Sequence, residues 1–217
     1  MSNPLRRLLA AVTAAAVVTA AAIAVSASGG TKHTAATAPV STTFRGIPEH
    51  AGVLGNPNAP ITLTEYVDLQ CPICAEASEQ TLPWLVQNYV RTGKVKLQIR
   101  TLHFIGPDSE RAARVASGAK AQGRLWPFVE SFYAAQGQEN SGYVTDAFLR
   151  SVAKAAGVNA DKALAAGGQA DLDQADSDAT RLGVTATPTF TVARGDGQPK
   201  VIGSGVLSRA ALEKALR

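Results

Sequence analysis

The chain of 217 residues holds only two cysteines, Cys71 and Cys74, which are separated by Pro72 and Ile73. Residues i and i+3 of a helix face the same side, so the two sulfur atoms are close enough to form a disulfide. Pro72 suits the first turn of a helix, where it has no backbone N–H to leave unpaired. The motif therefore predicts a helix start that carries a dithiol or a disulfide.

The two thiols of this motif are predicted to differ in reactivity. Cys71 would lie at the helix N-terminus, where free N–H groups and the positive end of the helix dipole stabilise a thiolate. Cys74 lies one turn deeper and is expected to be more buried and a poorer nucleophile. In the disulfide form, a partner thiolate attacks the sulfur of Cys71, and Cys71 later leaves as a stabilised thiolate. This predicts a redox-active disulfide with one reactive and one resolving thiol.

Two other uses of the cysteine pair are weaker interpretations. A structural disulfide would close so small a loop that it would stabilise the fold little. A zinc site would need two further ligands, and the three histidines, His33, His50 and His103, have no ligand-like spacing. We therefore expect no metal and no cofactor at this motif.

Glu65 is a candidate proton carrier because it lies six residues before Cys71. In a strand it would share a face with the apolar residues Ile61, Leu63, Val67 and Leu69. Burial beneath the dithiol would raise the pKa of the carboxyl group, which could then pass protons to or from Cys74. The alternative is a strand-end carboxylate that reaches solvent.

Thr187 and Pro188 precede a later β-pattern and form a candidate substrate-binding turn. The bond before a proline is the only common site of a cis peptide. A cis bond here would expose the Thr187 backbone for pairing with an extended substrate chain beside Cys71. An ordinary trans turn is the commoner alternative for a Thr-Pro pair.

Residue periodicity and turn residues predict the elements that position these groups. In chain order they are a strand at 61–69, a helix at 72 to about 91 with a kink at Pro83, a strand at 94–104, at least four helices between 109 and 182, hairpin strands at 189–193 and 200–203, and a last helix capped by Ser208. A helix between the first two strands implies a parallel, right-handed crossover, and the hairpin adds an antiparallel edge. The predicted fold class is α/β, a mixed β-sheet flanked by helices and interrupted by a helical block.

Residues 1–27 are predicted to direct the chain out of the cytoplasm rather than to join the fold. Arg6 and Arg7 precede an uncharged run at 8–25, and small residues follow at a candidate cleavage point. This pattern indicates a signal peptide, with an N-terminal membrane anchor as the alternative. Residues 28–46 are mostly small and polar and are predicted to form a flexible linker, which leaves 47–217 as the folded domain. Two buried free cysteines would be implausible in such an exported protein.

Charge and hydropathy exclude two other classes of protein. The formal net charge is +4, and two of the positive charges are Arg6 and Arg7. The remaining excess gives no general attraction for nucleic acid or anionic membranes. Only one segment is long and apolar enough to span a bilayer, which excludes a multi-pass membrane protein.

Several motifs together resemble the DsbA-like branch of the thioredoxin superfamily. They are Glu65-Tyr66-Val67-Asp68 before Cys71-Pro72-Ile73-Cys74, then Leu82-Pro83, Tyr89-Val90, Thr92-Gly93-Lys94-Val95, residues 109–116, Trp126, and Leu182-Gly183-Val184-Thr185 before Thr187-Pro188-Thr189-Phe190. The resemblance covers roughly residues 48–217. It implies a thioredoxin fold with an inserted α-helical domain at about 107–182, a cis bond before Pro188, and thiol–disulfide exchange in the cell envelope.

The resemblance also implies roles for the site residues and the identity of the partners. Cys71 matches the family's nucleophile, Cys74 its resolving thiol, and Glu65 the acidic residue under the site. The implied partners are reduced exported proteins and a membrane quinone-linked thiol oxidase that recharges the disulfide. Ile73 replaces the histidine that the strongest oxidants of this family carry between their cysteines, which predicts a less stabilised Cys71 thiolate and a milder oxidant.

We therefore predict a thiol–disulfide oxidoreductase of the periplasm, cell envelope or extracellular space that donates disulfides to exported proteins. Two alternatives stay open at this point. One is a reductase or isomerase on the same scaffold. The other is a non-catalytic module whose cysteines bind copper or zinc.

Overall fold

The computed structural model describes residues 42–217, so the predicted signal segment 1–27 and most of the predicted linker lie outside the described residues. In this part of the chain, six strands form one sheet in the order β1-β2-β4-β3-β5-β6. The strands are β1 (Glu49–His50), β2 (Val53–Leu54), β3 (Ile61–Asp68), β4 (Val95–Leu102), β5 (Thr189–Arg194) and β6 (Lys200–Ser204). The predicted mixed sheet is confirmed, whereas the short strands β1 and β2 were not predicted.

Helices form both the connections of the sheet and a separate block. α1 (Pro72–Leu85) and a π-helical turn at Val86–Val90 join β3 to β4, and α7 (Arg209–Leu216) follows β6. Pro83 lies inside α1, and regular α-helical bonding gives way to the π-helical turn three residues further on. The predicted insertion between β4 and β5 consists of α2 (Pro107–Lys120), α3 (Leu125–Ala134), α4 (Asp146–Ala155), α5 (Ala160–Ala165) and α6 (Gln169–Leu182).

β3 is a central strand and leads directly into the cysteine motif. It runs parallel to β4, with Glu65 opposite Ile99, and antiparallel to β5, with Glu65 opposite Phe190. Tyr66, Val67 and Asp68 are all buried, so both faces of this part of the strand are covered. The strand therefore delivers the following loop and the start of α1 to the carboxyl edge of the sheet.

α3 packs into the core that the insertion shares with the sheet. Its aromatic side chains Trp126, Phe128 and Phe132 are almost completely buried in a core shared with the sheet. The indole N–H of Trp126 donates a hydrogen bond of 3.0 Å to the carbonyl oxygen of Gly52, in the turn between β1 and β2. The carboxylate of Glu49 in β1 accepts hydrogen bonds of 2.6 and 3.3 Å from the first two backbone N–H groups of α3. The β1–β2 hairpin therefore caps the N-terminus of α3.

The first described residues also pack onto this core. Phe44 lies in a 3-10 turn (Thr42–Phe44), is 7% exposed, and has its ring centre 5.8 Å from that of Trp126. Packed structure thus begins before residue 47, where the predicted folded domain starts. Within residues 42–217, no helix has the length and apolar character needed to cross a membrane.

Candidate active site

Cys71 and Cys74 lie where β3 passes into α1, as the motif predicts. Cys71 is the N-cap residue of α1, and Pro72 is the first residue of the helix. The carbonyl oxygen of Cys71 accepts hydrogen bonds from the N–H groups of Cys74, at 3.1 Å, and Ala75, at 3.3 Å. Cys71 is 7% exposed and Cys74 is fully buried, and both are free thiols in this structure. The helix start therefore holds two neighbouring thiols, of which Cys74 is the deeper.

The two thiols differ strongly in acidity. The pKa of Cys71 is lowered to about 6, chiefly by a hydrogen bond with the Cys74 side chain. Burial opposes this shift. Hydrogen bonds with the Thr187 side chain and with the backbone of Cys74 and Ile73 lower the pKa further toward this value. Burial raises the pKa of Cys74 well above its usual range, and the interaction with Cys71 raises it further. At neutral pH the stable state of the pair is therefore a thiolate at Cys71 and a thiol at Cys74.

The turn before β5 reaches the reactive sulfur. The Thr187–Pro188 peptide bond is cis, as the resemblance implies. The carbonyl oxygen of Thr187 lies 3.4 Å from Sγ of Cys71, although the two residues are 116 positions apart in the sequence. Thr185 and Ala186 just before this turn are exposed. The segment that leads into the turn is therefore exposed close to Cys71.

The pKa of Glu65 is raised, as expected for a carboxyl group buried beneath the dithiol. Although the residue keeps partial contact with solvent, burial of its carboxyl group and, to a lesser extent, the nearby carboxylate of Glu130 raise its pKa to about 8. The charge of Glu65 also acts on Cys74 and contributes to the raised pKa of that thiol. Glu65 is therefore a protonated acid at neutral pH, close to the buried sulfur.

A hydrogen-bond network that was not predicted ties the loop between β3 and α1 to the insertion. The side-chain amide of Gln136, just after α3, donates to the carbonyl oxygens of Leu69, at 2.8 Å, and Cys71, at 3.2 Å. Gln70 is 1% exposed, and its side-chain oxygen accepts a hydrogen bond of 2.8 Å from the backbone N–H of Asn140. The insertion therefore holds the backbone around Cys71.

A second group that was not predicted lies between α1 and α3. Ser78 donates a hydrogen bond to the carboxylate of Glu130, and both residues line a cavity together with Tyr133. Burial raises the pKa of Glu130, and the hydrogen bond from Ser78 opposes that shift. Glu130 and Tyr133 have the i, i+3 spacing of one helix face, but an acid and a tyrosine at this spacing are common on surface helices and carry no specific signal.

The described residues contain no group of three or more His, Cys, Asp or Glu side chains that could hold a metal ion. His103 pairs with Asp176 at 3.2 Å, and His50 is exposed. His33 lies outside the described residues.

A CxxC motif at the end of a central strand, with a cis-proline turn beside it, defines the thioredoxin class. The family model described as thioredoxin matches residues 49–196, and the chain belongs to this family. BdbD from Bacillus subtilis, in its oxidised form, superimposes with a TM-score of 0.67 at 20% identity, over 82% of this chain and 94% of that chain. Wolbachia pipientis alpha-DsbA1 superimposes with a TM-score of 0.62 at 21% identity, over 76% of this chain and 88% of that chain. The predicted DsbA-like thioredoxin fold with a helical insertion is confirmed.

The chain is also similar in sequence to a curated disulfide bond formation protein. The chain is 32% identical over 103 residues to the "Probable disulfide bond formation protein D" of Bacillus anthracis, which is 46% of this chain and 48% of that protein. The chain spans about half the length of the curated disulfide bond formation proteins that it matches.

Proposed function

We propose that this protein is an extracytoplasmic thiol–disulfide oxidoreductase that donates the Cys71–Cys74 disulfide to exported proteins. The observation that carries the proposal is the opposite acidity of two neighbouring thiols at a helix start, with the pKa of Cys71 lowered and that of Cys74 raised. Such a pair favours attack on the outer sulfur and makes Cys71 a good leaving group. The name of the Bacillus anthracis relative, a disulfide bond formation protein, supports the same chemistry.

The proposed reaction consists of two thiol–disulfide exchanges. A substrate thiolate attacks Sγ of Cys71, the Cys71–Cys74 bond breaks, and its electron pair goes to the sulfur of Cys74. Glu65, protonated at neutral pH, gives its proton to this buried thiolate. A second substrate thiolate then attacks the substrate sulfur of the mixed disulfide, and Cys71 leaves as a thiolate. The substrate loses two electrons and the CxxC pair gains two.

Thr187 and Pro188 are proposed to bind the substrate chain beside the reacting sulfur. The Thr187 carbonyl lies 3.4 Å from Sγ of Cys71, so an extended peptide that paired with this backbone would hold its cysteine against the disulfide. Ile73 and Phe104, which are 43% and 50% exposed, provide apolar surface for such a peptide.

The location and the recharging partner are proposed from the N-terminal sequence and the family resemblance. Residues 1–27 would act as a cleaved signal or a retained anchor, residues 28–46 as a linker, and the remainder as the catalytic domain in the periplasm or cell envelope. A membrane quinone-linked thiol oxidase would return the pair to the disulfide. Reduced exported proteins would be the substrates.

Equilibration of the purified protein in graded glutathione buffers tests the proposal. The measured fraction of disulfide gives the reduction potential of the pair. We expect a value between about −120 mV and about −180 mV, because Ile73 offers no charged donor to Cys71. A potential of about −270 mV would instead indicate a reductase. A pair that does not cycle but retains copper or zinc would contradict the proposal.

A further inference from the structure

A cavity of about 380 Å³ lies behind the CxxC motif, between α1 and α3. Ser78, one helical turn after Cys74, lines it from α1, and Glu130 and Tyr133 line it from α3. The exposed residue Glu79 also lines the cavity, which therefore opens to solvent. A space of this size holds several water molecules.

Tyr133 lines this cavity, and the charges of Cys74 and Glu65 act on its hydroxyl group. Its oxygen is buried and has no hydrogen-bond partner among the described residues. Burial raises the pKa of Tyr133, and the nearby charges of Cys74 and Glu65 raise it further, so the phenol stays protonated. A neutral phenol can donate one hydrogen bond while it accepts another. Tyr133 can therefore pass a proton on without becoming charged.

Glu130 is the acid that links the cavity to Glu65. The hydroxyl of Ser78 donates to its carboxylate, which fixes the carboxylate at the cavity wall. Three acids interact here, Glu65 on β3, Glu130 on α3 and Glu79 on α1, and the charges of Asp68, Cys71 and Cys74 also act on Tyr133. Two of the three acids, Glu65 and Glu130, are largely withdrawn from water, whereas Glu79 is exposed.

We propose that Glu130 and Tyr133 form a proton path between the cavity and Glu65, so that Glu65 regains a proton from solvent after it has protonated Cys74. The inference deepens the proposed oxidoreductase function and rests on it. Both residues act through Glu65 and not on the sulfur atoms, so they are positioning residues of the helical insertion. The insertion would thus supply the solvent connection for chemistry that takes place in the sheet part.

When the disulfide breaks, one proton moves from Glu65 to the thiolate of Cys74 and leaves a carboxylate at Glu65. Water in the cavity then supplies one proton to Glu65 through the carboxyl group of Glu130 and the hydroxyl group of Tyr133. The Tyr133 hydroxyl releases one proton as it accepts another, so it stays neutral. When the recharging oxidase restores the disulfide, Cys74 gives up its proton and the path carries it back to the cavity.

The pH dependence of disulfide reduction by dithiothreitol tests this path in the full chain. Glu130→Gln removes both a negative charge beside Glu65 and an acid of the path, so the apparent pKa in the rate profile is expected to fall by about one unit and the rate by about tenfold. Tyr133→Phe keeps the ring but removes the hydroxyl, and is expected to lower the rate about tenfold without moving that pKa. Glu79→Gln is the matched control, because it removes the same charge from an exposed position on the same cavity.

Chemical rescue separates proton transfer from a structural role. Formate is small enough to enter the cavity, and is expected to restore the rate of Glu130→Ala but not that of Glu65→Gln. If Glu130→Gln and Tyr133→Phe both follow the profile of Glu79→Gln and formate has no effect, the path is wrong while the oxidoreductase function stands. If the wild-type pair does not cycle at all, the proposed function itself fails. Should a Glu130 variant not fold, Tyr133→Phe alone decides the outcome.

Discussion

The sheet with α1 and the helical insertion contribute to the site in different ways. The first part carries the two cysteines, the Thr187 turn that contacts Cys71, and Glu65, whose charge acts on Cys74. The insertion carries no sulfur, yet Gln136 binds the backbone around Cys71 and Glu130 alters the acidity of Glu65. The reactive groups therefore come from short sequence motifs, whereas their surroundings come from residues far away in the chain.

Replacement of either cysteine of the sheet part by serine should have the largest effect on activity. Cys74→Ser is expected to stop turnover while Cys71 still attacks, because the mixed disulfide then has no resolving thiol. Mass spectrometry after incubation with a disulfide-containing peptide should show the peptide bound to the chain. Cys71→Ser should bind none, since Cys74 is buried and its pKa is raised. Equal trapping by the two variants would contradict the assigned roles.

Loss of the acid in the sheet part should have the next largest effect. Glu65→Gln is expected to slow reduction of the disulfide by roughly 100-fold at neutral pH, because the buried Cys74 thiolate then lacks its proton donor. Above about pH 8 the wild type loses the same proton, so the difference should shrink there. Stopped-flow rates across the neutral and alkaline range measure it, with the exposed Glu76→Gln as control. A ratio that stays constant with pH would count against proton donation.

A change inside the insertion should alter stability and leave the chemistry intact. A Cβ atom at Gly118 of α2 would lie 2.4 Å from Cα of Ala163 in α5. Gly118→Ala is therefore expected to destabilise the protein by about 1–3 kcal/mol, since two helix backbones would have to separate. Urea unfolding measures the loss, and thiolate absorbance should still titrate with a Cys71 pKa of about 6. A shifted pKa would show that packing in the insertion does reach the sulfur.

The thiolate should make the stability of the reduced form depend on pH. The pKa of Cys71 is about 6 in the fold and near 9 in the unfolded chain, so the folded state binds this proton less tightly. The resulting stabilisation is fully present above the unfolded pKa and is lost as the pH falls through about 6. Urea midpoints of the reduced protein measure it over this range. Reduced Cys71→Ser should lack this component, and an identical pH dependence in the variant would refute the assignment.

The smallest effect is expected where the two regions meet. Gln136→Ala removes two hydrogen bonds to the backbone around Cys71 and should cost about 1 kcal/mol of stability. It should also raise the pKa of Cys71, because the sulfur is then held less firmly beside its hydrogen-bond donors. Gln138→Ala, an exposed glutamine two residues further on, serves as the control. Identical thiolate titrations for the two variants would limit Gln136 to a structural contact.

The sequence was most informative where the signal is local. The spacing of Cys71, Pro72 and Cys74 fixes the helix start, and the strand periodicity of 61–69 and 94–104 places it at the end of a parallel strand pair. The positions of Ser208 and of the hairpin before it were likewise confirmed, because capping and turn residues act over three or four positions.

The remainder depends on contacts that no short pattern encodes. Strands β1 and β2 have only two residues each, which is too short for any periodicity to appear. Glu130 and Gln136 become part of the site only because α3 packs against α1, and the sequence of α3 alone does not say which helix it meets. Glu49 gives no sign of capping a helix whose first residue is Leu125.

The contact between Cys71 and the Thr187 carbonyl has a consequence for folding order, since it joins residues 116 positions apart. Contacts of such sequence separation form late, because a long loop must close before they contribute any stability. Until β5 has joined β3, Cys71 also lacks the hydrogen bond with the Thr187 side chain, which lowers the pKa of Cys71 in the folded protein. The Cys71 thiol of an immature chain is therefore expected to be less acidic than that of the folded protein.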